Sequence, residues 1–226
     1  MILTLNTPFE GYTPVKVLGK STSYREVYLA KNCFELDVLL TVYDMNKLPE
    51  CFVDGKIPEF EIIPQLTNSA FPKYVERGIC NDNNASLCWM ATKYIGHTSL
   101  TDFIASDYVR NERDMLKQFY NLLVAVKEVS WCMGGGCCNN ISTDNIVVAV
   151  GENGESKWHY VGLDCVSEAC KGLATFDTSV PSRLFRAPET LVSHYNVRTD
   201  IFSLGVVLAI IIAILSAIQF KLGEEK

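Results

Sequence analysis

The β-like segments of this chain come first and the helical ones after, an order that restricts the fold more than any single motif. Val15-Lys-Val-Leu, Glu26-Val-Tyr-Leu-Ala and Leu36 to Val42 are rich in β-branched or aromatic residues and are separated by turn-prone stretches. They predict a small antiparallel sheet. A short helix is expected around Glu59 to Leu66, held to a turn or two by Pro58 and Pro64. Trp89 to Tyr94 reads as a further strand, and Ser99 offers an N-cap hydroxyl to a helix that follows it. From Glu112 to Trp131 the apolar residues Met115, Leu116, Phe119, Leu122, Leu123, Val126 and Val129 recur on one face of a long helix. Sheet first and helices after place the chain in the α+β class.

With 226 residues, 48% of them hydrophobic, the chain can bury a sizeable core in one bilobal domain or two small ones. A formal charge of −6, a pI near 5.1 and no long basic run argue against nucleic acid as a partner. Nine cysteines without a C-x-x-C pair, beside three histidines, indicate neither a disulfide framework nor a zinc site. Reduced thiols in a cytosol-facing protein fit this pattern. Cys132, Cys137 and Cys138 cluster beside Gly134-Gly135-Gly136; a metal or redox site is one reading, and small buried hydrophobes the expected one. The opening Met-Ile-Leu-Thr-Leu-Asn lacks a basic flank and a long apolar core, so secretion is not expected.

Near the other end, Ile201 to Phe220 is almost wholly apolar and is followed by Lys221 and a charged tail. Roughly 20 residues is the length of a bilayer span. It is also the character of a helix buried on all sides within a domain. The expected localisation is cytoplasmic, with the alternative of a chain anchored in a membrane by this helix.

Seven segments carry further information. Cys138-Asn139-Asn140-Ile141-Ser142-Thr143-Asp144-Asn145 matches the length and final asparagine of the pattern H-R-D-L-K-P-E-N. Before it lie Gly19 to Ala30, Val38-Leu39-Leu40-Thr41 and Met90-Ala-Thr-Lys-Tyr-Ile-Gly; after it lie Leu163-Asp164-Cys165-Val166, Arg186-Ala187-Pro188-Glu189 and Asp200-Ile-Phe-Ser-Leu-Gly. From about Tyr12 to about Gly205 this ordered set resembles the eukaryotic-type protein kinase domain. The resemblance implies a protein-kinase-like bilobal fold. Residues 1–95 would form an antiparallel β-sheet N-lobe with the hinge, and 96–226 an incomplete, mainly helical C-lobe that includes an apolar helix over 200–220.

The resemblance also implies where chemistry is missing. Thr41 stands at the third-strand lysine, and a hydroxyl cannot neutralise α- and β-phosphates or pair with the helix glutamate, which is Glu59. Glu59 is therefore expected to lack its partner. Asn140 stands at the catalytic aspartate and cannot accept a substrate proton effectively. Asn139 replaces the arginine that grips an activation-loop phosphate, making Thr175, Thr178, Ser179 and Ser182 poor candidates for that switch. Cys138 replaces the structural histidine. No catalytic residue is expected intact.

Residues at nucleotide-binding positions are Gly19, Arg25, Val27, Leu39, Lys93, Ile95 and Val147. Of three loop glycines only Gly19 remains, and side chains from Ser21 to Arg25 weaken a phosphate cradle. Arg25 is either a substitute cation or an exposed arginine at a loop tip. Leu39, where the family has alanine, projects toward the adenine slot, and Thr92 takes the gatekeeper position. Asn145 and Asp164 remain at the metal-binding positions, to hold magnesium or to anchor their own loops. Glu189 and Asp200 take structural positions, Glu189 without an evident partner.

The implied function is that of a pseudokinase, a regulatory or scaffolding module with little or no phosphoryl transfer. ATP and magnesium would bind weakly or not at all. Its partner would be a protein, an active kinase or a second copy, with membrane contact through the apolar helix as a further option. The alternative is an atypical serine/threonine kinase that binds ATP and magnesium with residual activity, using Arg25.

Overall fold

The computed structural model describes all residues except 20, 50, 51, 53–55, 83–84, 97, 107–110, 168–182, 193–194 and 225–226. The architecture is mixed α+β in two compact units. One comprises Met1–Pro64 and Pro72–Tyr94; the other comprises Gln65–Phe71 and Ile95–Lys226.

The first unit is built on a five-stranded antiparallel sheet of β1 (Thr13–Leu18), β2 (Arg25–Lys31), β3 (Asp37–Asp44), β4 (Tyr74–Asp82) and β5 (Ala85–Lys93), in the order β1-β2-β3-β5-β4. Side chains alternate across it. One face carries Tyr28, Ala30, Val38, Leu40, Val42, Leu87, Trp89 and Ala91, which pack with Leu3 and Tyr12 into a core. The N-terminal segment covers that face: the Ile2 and Leu3 amides donate to Glu26 Oε2 and Tyr28 Oη, and Phe9 and Tyr12 meet Trp89 edge-on. Glu26 is buried there. Burial alone would raise its carboxyl, but hydrogen bonds from Tyr28 and the Ile2 amide outweigh that and hold it below its usual value.

Helix α1 (Pro58–Ile62) packs its Phe60 against Tyr43 of β3, with ring centroids 5.3 Å apart. Proline at its first position needs no amide partner, and a 3-10 turn at Ile63–Gln65 ends it. The edge strand β4 was not evident in the sequence, because Tyr-Val-Glu-Arg-Gly-Ile has no clean alternation. It is stabilised by pairing with β5, where Gly78 lies opposite Trp89. A Cβ on Gly78 would stand 2.8 Å from the Trp89 ring, so the indole occupies the space that glycine leaves.

The second unit contains α2 (Leu100–Ala105), α3 (Glu112–Cys132), the hairpin β6 (Ile146–Val150) and β7 (Ser156–Tyr160), and α4 (Val197–Glu224). Ser99 caps α2 as expected, accepting from the Asp102 amide. In α3 the buried face is Met115, Gln118, Phe119, Leu122, Ala125, Val126 and Val129. Leu116 and Leu123, expected on that face, are exposed. Gln118 replaces them because its Oε1 accepts the Trp158 amide of β7. Segment Gln65–Phe71, expected within the first lobe, belongs here. Glu128 of α3 accepts the Thr67 and Asn68 amides, and Ala70 O accepts the Tyr160 amide. The β6–β7 hairpin escaped sequence reading, since two five-residue strands show too little periodicity.

Gly78→Ala is expected to destabilise the first unit by about 1–3 kcal/mol through overpacking against Trp89. A lower urea midpoint with an unchanged slope checks it.

Candidate functional site

In the first unit, register places the residues of interest together. Arg25 pairs with Tyr43, Val27 with Thr41 and Leu29 with Leu39 across β2 and β3. Thr41 and Leu39 in turn pair with Met90 and Thr92 of β5. Directly opposed residues share a face. Arg25, Val27, Leu39, Thr41 and Thr92 therefore line the sheet face opposite the core, with Thr41 and Thr92 buried and Val27 and Leu39 half-buried.

The expectation that Glu59 lacks a partner is overturned. Arg25 Nε donates to its Oε1 and Nη2 to its Oε2, both at 3.3 Å, a fork geometry that lysine cannot reproduce. Glu59 is 3% exposed, and the Arg25 guanidinium also lies over the Tyr43 ring at 5.8 Å. Arg25 opens β2 and is not an exposed loop-tip residue. It belongs to β2 in sequence, so pairing with α1 depended on a register that the sequence alone did not specify.

Gly19 takes a left-handed φ of +67° before the β2 strand. The loop behind it is closed on itself: the Thr22 amide donates to Arg25 O at 2.9 Å, and Thr22 Oγ1 accepts the Arg25 amide at 2.9 Å. Those amides are directed within the loop. At the other end of the sheet the Lys93 amide donates to Lys73 O, and the Lys93 side chain is exposed.

In the second unit, Asp200 organises the loop. It is 1% exposed in the first turn of α4, and its two oxygens accept the Cys138 and Asn139 amides at 2.6 and 3.0 Å. Burial pushes its carboxyl up to about 6 from an ordinary 3.8, partly opposed by those two amides. Asn139 has a left-handed φ of 60°, which asparagine tolerates, and its Nδ2 donates to Cys165 O and Ser167 Oγ. Backbone hydrogen bonds join Cys137 and Ser167 in both directions. Loop and Leu163–Cys165 turn are thereby tied side by side.

Asn140 follows. Its Nδ2 donates to Asp164 Oδ1 at 3.0 Å, while its carbonyl accepts from Asn145 Nδ2 at 2.9 Å. Asn145 thus anchors its own loop, and Asp164 meets an amide hydrogen. Gly162 makes this approach possible. A Cβ there would stand 2.9 Å from Asn140 O and 2.8 Å from Tyr160 Oη. Neither Gly162 nor Tyr160, whose hydroxyl donates to Gly162 O, was singled out in the sequence; a glycine directly before Leu163-Asp164 was the available signal.

Ile95 and Val147 also lie in the second unit: Val147 of β6 bridges Ser99, and the Val148 amide donates to Thr98 O. Glu189 sits half-buried in the 3-10 turn Pro188–Val192. Thr175, Thr178, Ser179 and Ser182 lie outside the described residues. Cys137 and Cys138 are fully buried and Cys132 is exposed, so the cysteine cluster does not converge. Burial pushes the Cys137 thiol up to about 11, with Asp200 adding to it, which keeps it protonated. Among the described residues no three His, Cys, Asp or Glu side chains gather as a metal site.

Helix α4 packs Leu204, Val207, Ile211 and Leu215 inward at helical spacing, while Ile201, Phe202 and Ile212 are exposed. The single Ser203 hydroxyl hydrogen is within reach of Phe185 O at 2.5 Å and Thr199 O at 3.0 Å, fixing the start of the helix to its own unit. Val197–Ala217 is long and apolar enough to cross a membrane, with a mean hydropathy of 2.5 and a third of its window buried.

Arg25→Ala removes the guanidinium from a buried carboxylate and is expected to cost about 3 kcal/mol, most of it recovered when Arg25→Met is combined with Glu59→Leu. Denaturant melts of wild type and the two variants check this. For Asp200, the folded state keeps a proton between about pH 4 and 6 that the unfolded chain has lost. Its contribution therefore falls by about 3 kcal/mol as pH rises through that window and is flat above it. Stability measured against pH for wild type and Asp200→Asn should differ by this slope.

Compared with models of known protein families the sequence matches none, and a search of curated proteins likewise returned no match.

Proposed function

We propose that the chain is a pseudokinase, a protein-kinase-like module that regulates or scaffolds a protein partner by contact and has little or no phosphoryl transfer. The observation that carries this reading is the hydrogen bond from Asn140 to Asp164. A general base must accept a proton from the substrate hydroxyl; this side chain is a donor turned toward a carboxylate. Support also comes from the antiparallel sheet that precedes the helices, from Thr41 buried where a phosphate-binding ammonium would be required, and from Leu39 on the same face. Weak or absent binding of ATP and magnesium follows.

The surface this reading assigns to a protein partner is the outward face of α4. Gly205, Ala209, Ala213 and Ala217 are exposed at four-residue spacing, flanked by Ile201 and Ile212. A second copy or an active kinase could approach closely there. Cytoplasmic placement fits better than a spanning anchor, because Thr199, Asp200 and Ser203 are hydrogen-bonded inside the unit. From Gly205 to Phe220 about 16 residues remain, roughly 24 Å of helix against the ~30 Å of a hydrocarbon core.

One observation favours a second reading, an atypical kinase with residual activity: Arg25 provides Glu59 with the cation that Thr41 cannot. ATP turnover by the purified chain and by Asp164→Ala separates the two. Equal background in both, with no thermal shift at roughly millimolar ATP and magnesium, is expected. Turnover in wild type that Asp164→Ala abolishes would establish the enzyme instead.

A further inference from the structure

We propose that the Asn140 side chain stands in for a divalent cation at Asp164, making the loop's closure independent of metal. Asn140 Nδ2 lies 3.0 Å from Asp164 Oδ1, and both residues are half-buried. An amide hydrogen brings partial positive charge to the carboxylate at short range, where a hard divalent ion would bring more. The contact is positioned from several directions. Asp200 holds the two preceding amides, Asn145 holds the Asn140 carbonyl, and Gly162 leaves room for that carbonyl to approach.

The kinase-like reading implies a cation beside Asp164 and Asn145. The residues as they stand do not fit one well, since Asn140 presents N–H hydrogens, not an oxygen, to the carboxylate the cation would need. An aspartate at 140 would reverse this. Two carboxylates at this distance require a proton or a cation between them. The cation half of this inference rests on the kinase-like reading; the hydrogen-bond half rests on the contact alone.

The test is thermal unfolding of the full chain in EDTA and in magnesium or manganese chloride. Three forms are compared: wild type, Asn140→Asp, and the swapped variant combining Asn140→Asp with Asp164→Asn. Wild type should unfold at the same temperature with and without cation. Asn140→Asp should lose roughly 3–10 °C in EDTA and regain most of it with magnesium. The swapped variant, with donor and acceptor exchanged, should return close to wild type in EDTA and ignore the cation.

A wild type that gains as much from magnesium as Asn140→Asp overturns the proposal, as does an Asn140→Asp variant that loses nothing in EDTA. Recovery by the swap without recovery by either cation refutes the stand-in role and leaves only a hydrogen bond. If Asn140→Asp is unfolded in EDTA, the swapped variant decides: failure to recover there overturns the proposal. ATP turnover in wild type would defeat the pseudokinase reading without moving these melting temperatures.

Discussion

The second unit depends on one buried carboxylate. Asp200 leaves water at the start of α4 and is compensated by two backbone amides of the loop that precedes β6. An unpaired charge at such burial would be prohibitive, so helix and loop are obliged to form together. Everything downstream follows from that clamp. With Cys138 and Asn139 held, Asn139 can reach Cys165 and Ser167, and Asn140 is delivered to Asp164. Ser203, one turn further along α4, fixes the Phe185 carbonyl to the same helix. A cost paid at one residue is distributed over three segments far apart in sequence.

The two units share a chemical tendency. Where the kinase resemblance places a charge needed for catalysis, the chain has a neutral side chain, and the neighbouring charge finds a different partner. On the proposed reading Thr41 stands at an ammonium's position, and Glu59 pairs with Arg25 of the adjacent strand. On the proposed reading Asn140 stands at a carboxylate's position, and its amide donates to Asp164. In each case a carboxylate is met by a hydrogen-bond donor, Arg25 at 3.3 Å and Asn140 at 3.0 Å. That pattern fits a protein whose proposed role is to hold a shape for a partner.

Much of this could be read in advance, and the exceptions have causes. The three early strands, the short α1 between two prolines, the Ser99 cap and the long α3 followed from local propensity and periodicity. β4 did not, because its segment has no clean alternation and it is held by pairing with β5, where the Trp89 indole lies over Gly78. Leu116 and Leu123 were misplaced because helical periodicity counts apolar residues and cannot anticipate that Gln118 will be needed inside to satisfy a strand amide. At the candidate site, spacing alone gives no sign that Arg25 reaches Glu59, nor that Gly162 and Tyr160 shape the approach of Asn140.

The sequence by itself determined the α+β order, the neutral side chains of Thr41 and Asn140, and an apolar helix of near-membrane length. Those are properties of residue type and spacing, and they survive any arrangement of the chain. Only the tertiary structure decided which charges pair. Strand register brought Arg25 to Glu59, and the burial of Asp200 brought Asn140 to Asp164, because hydrogen bonds between distant segments depend on distances that no local pattern encodes.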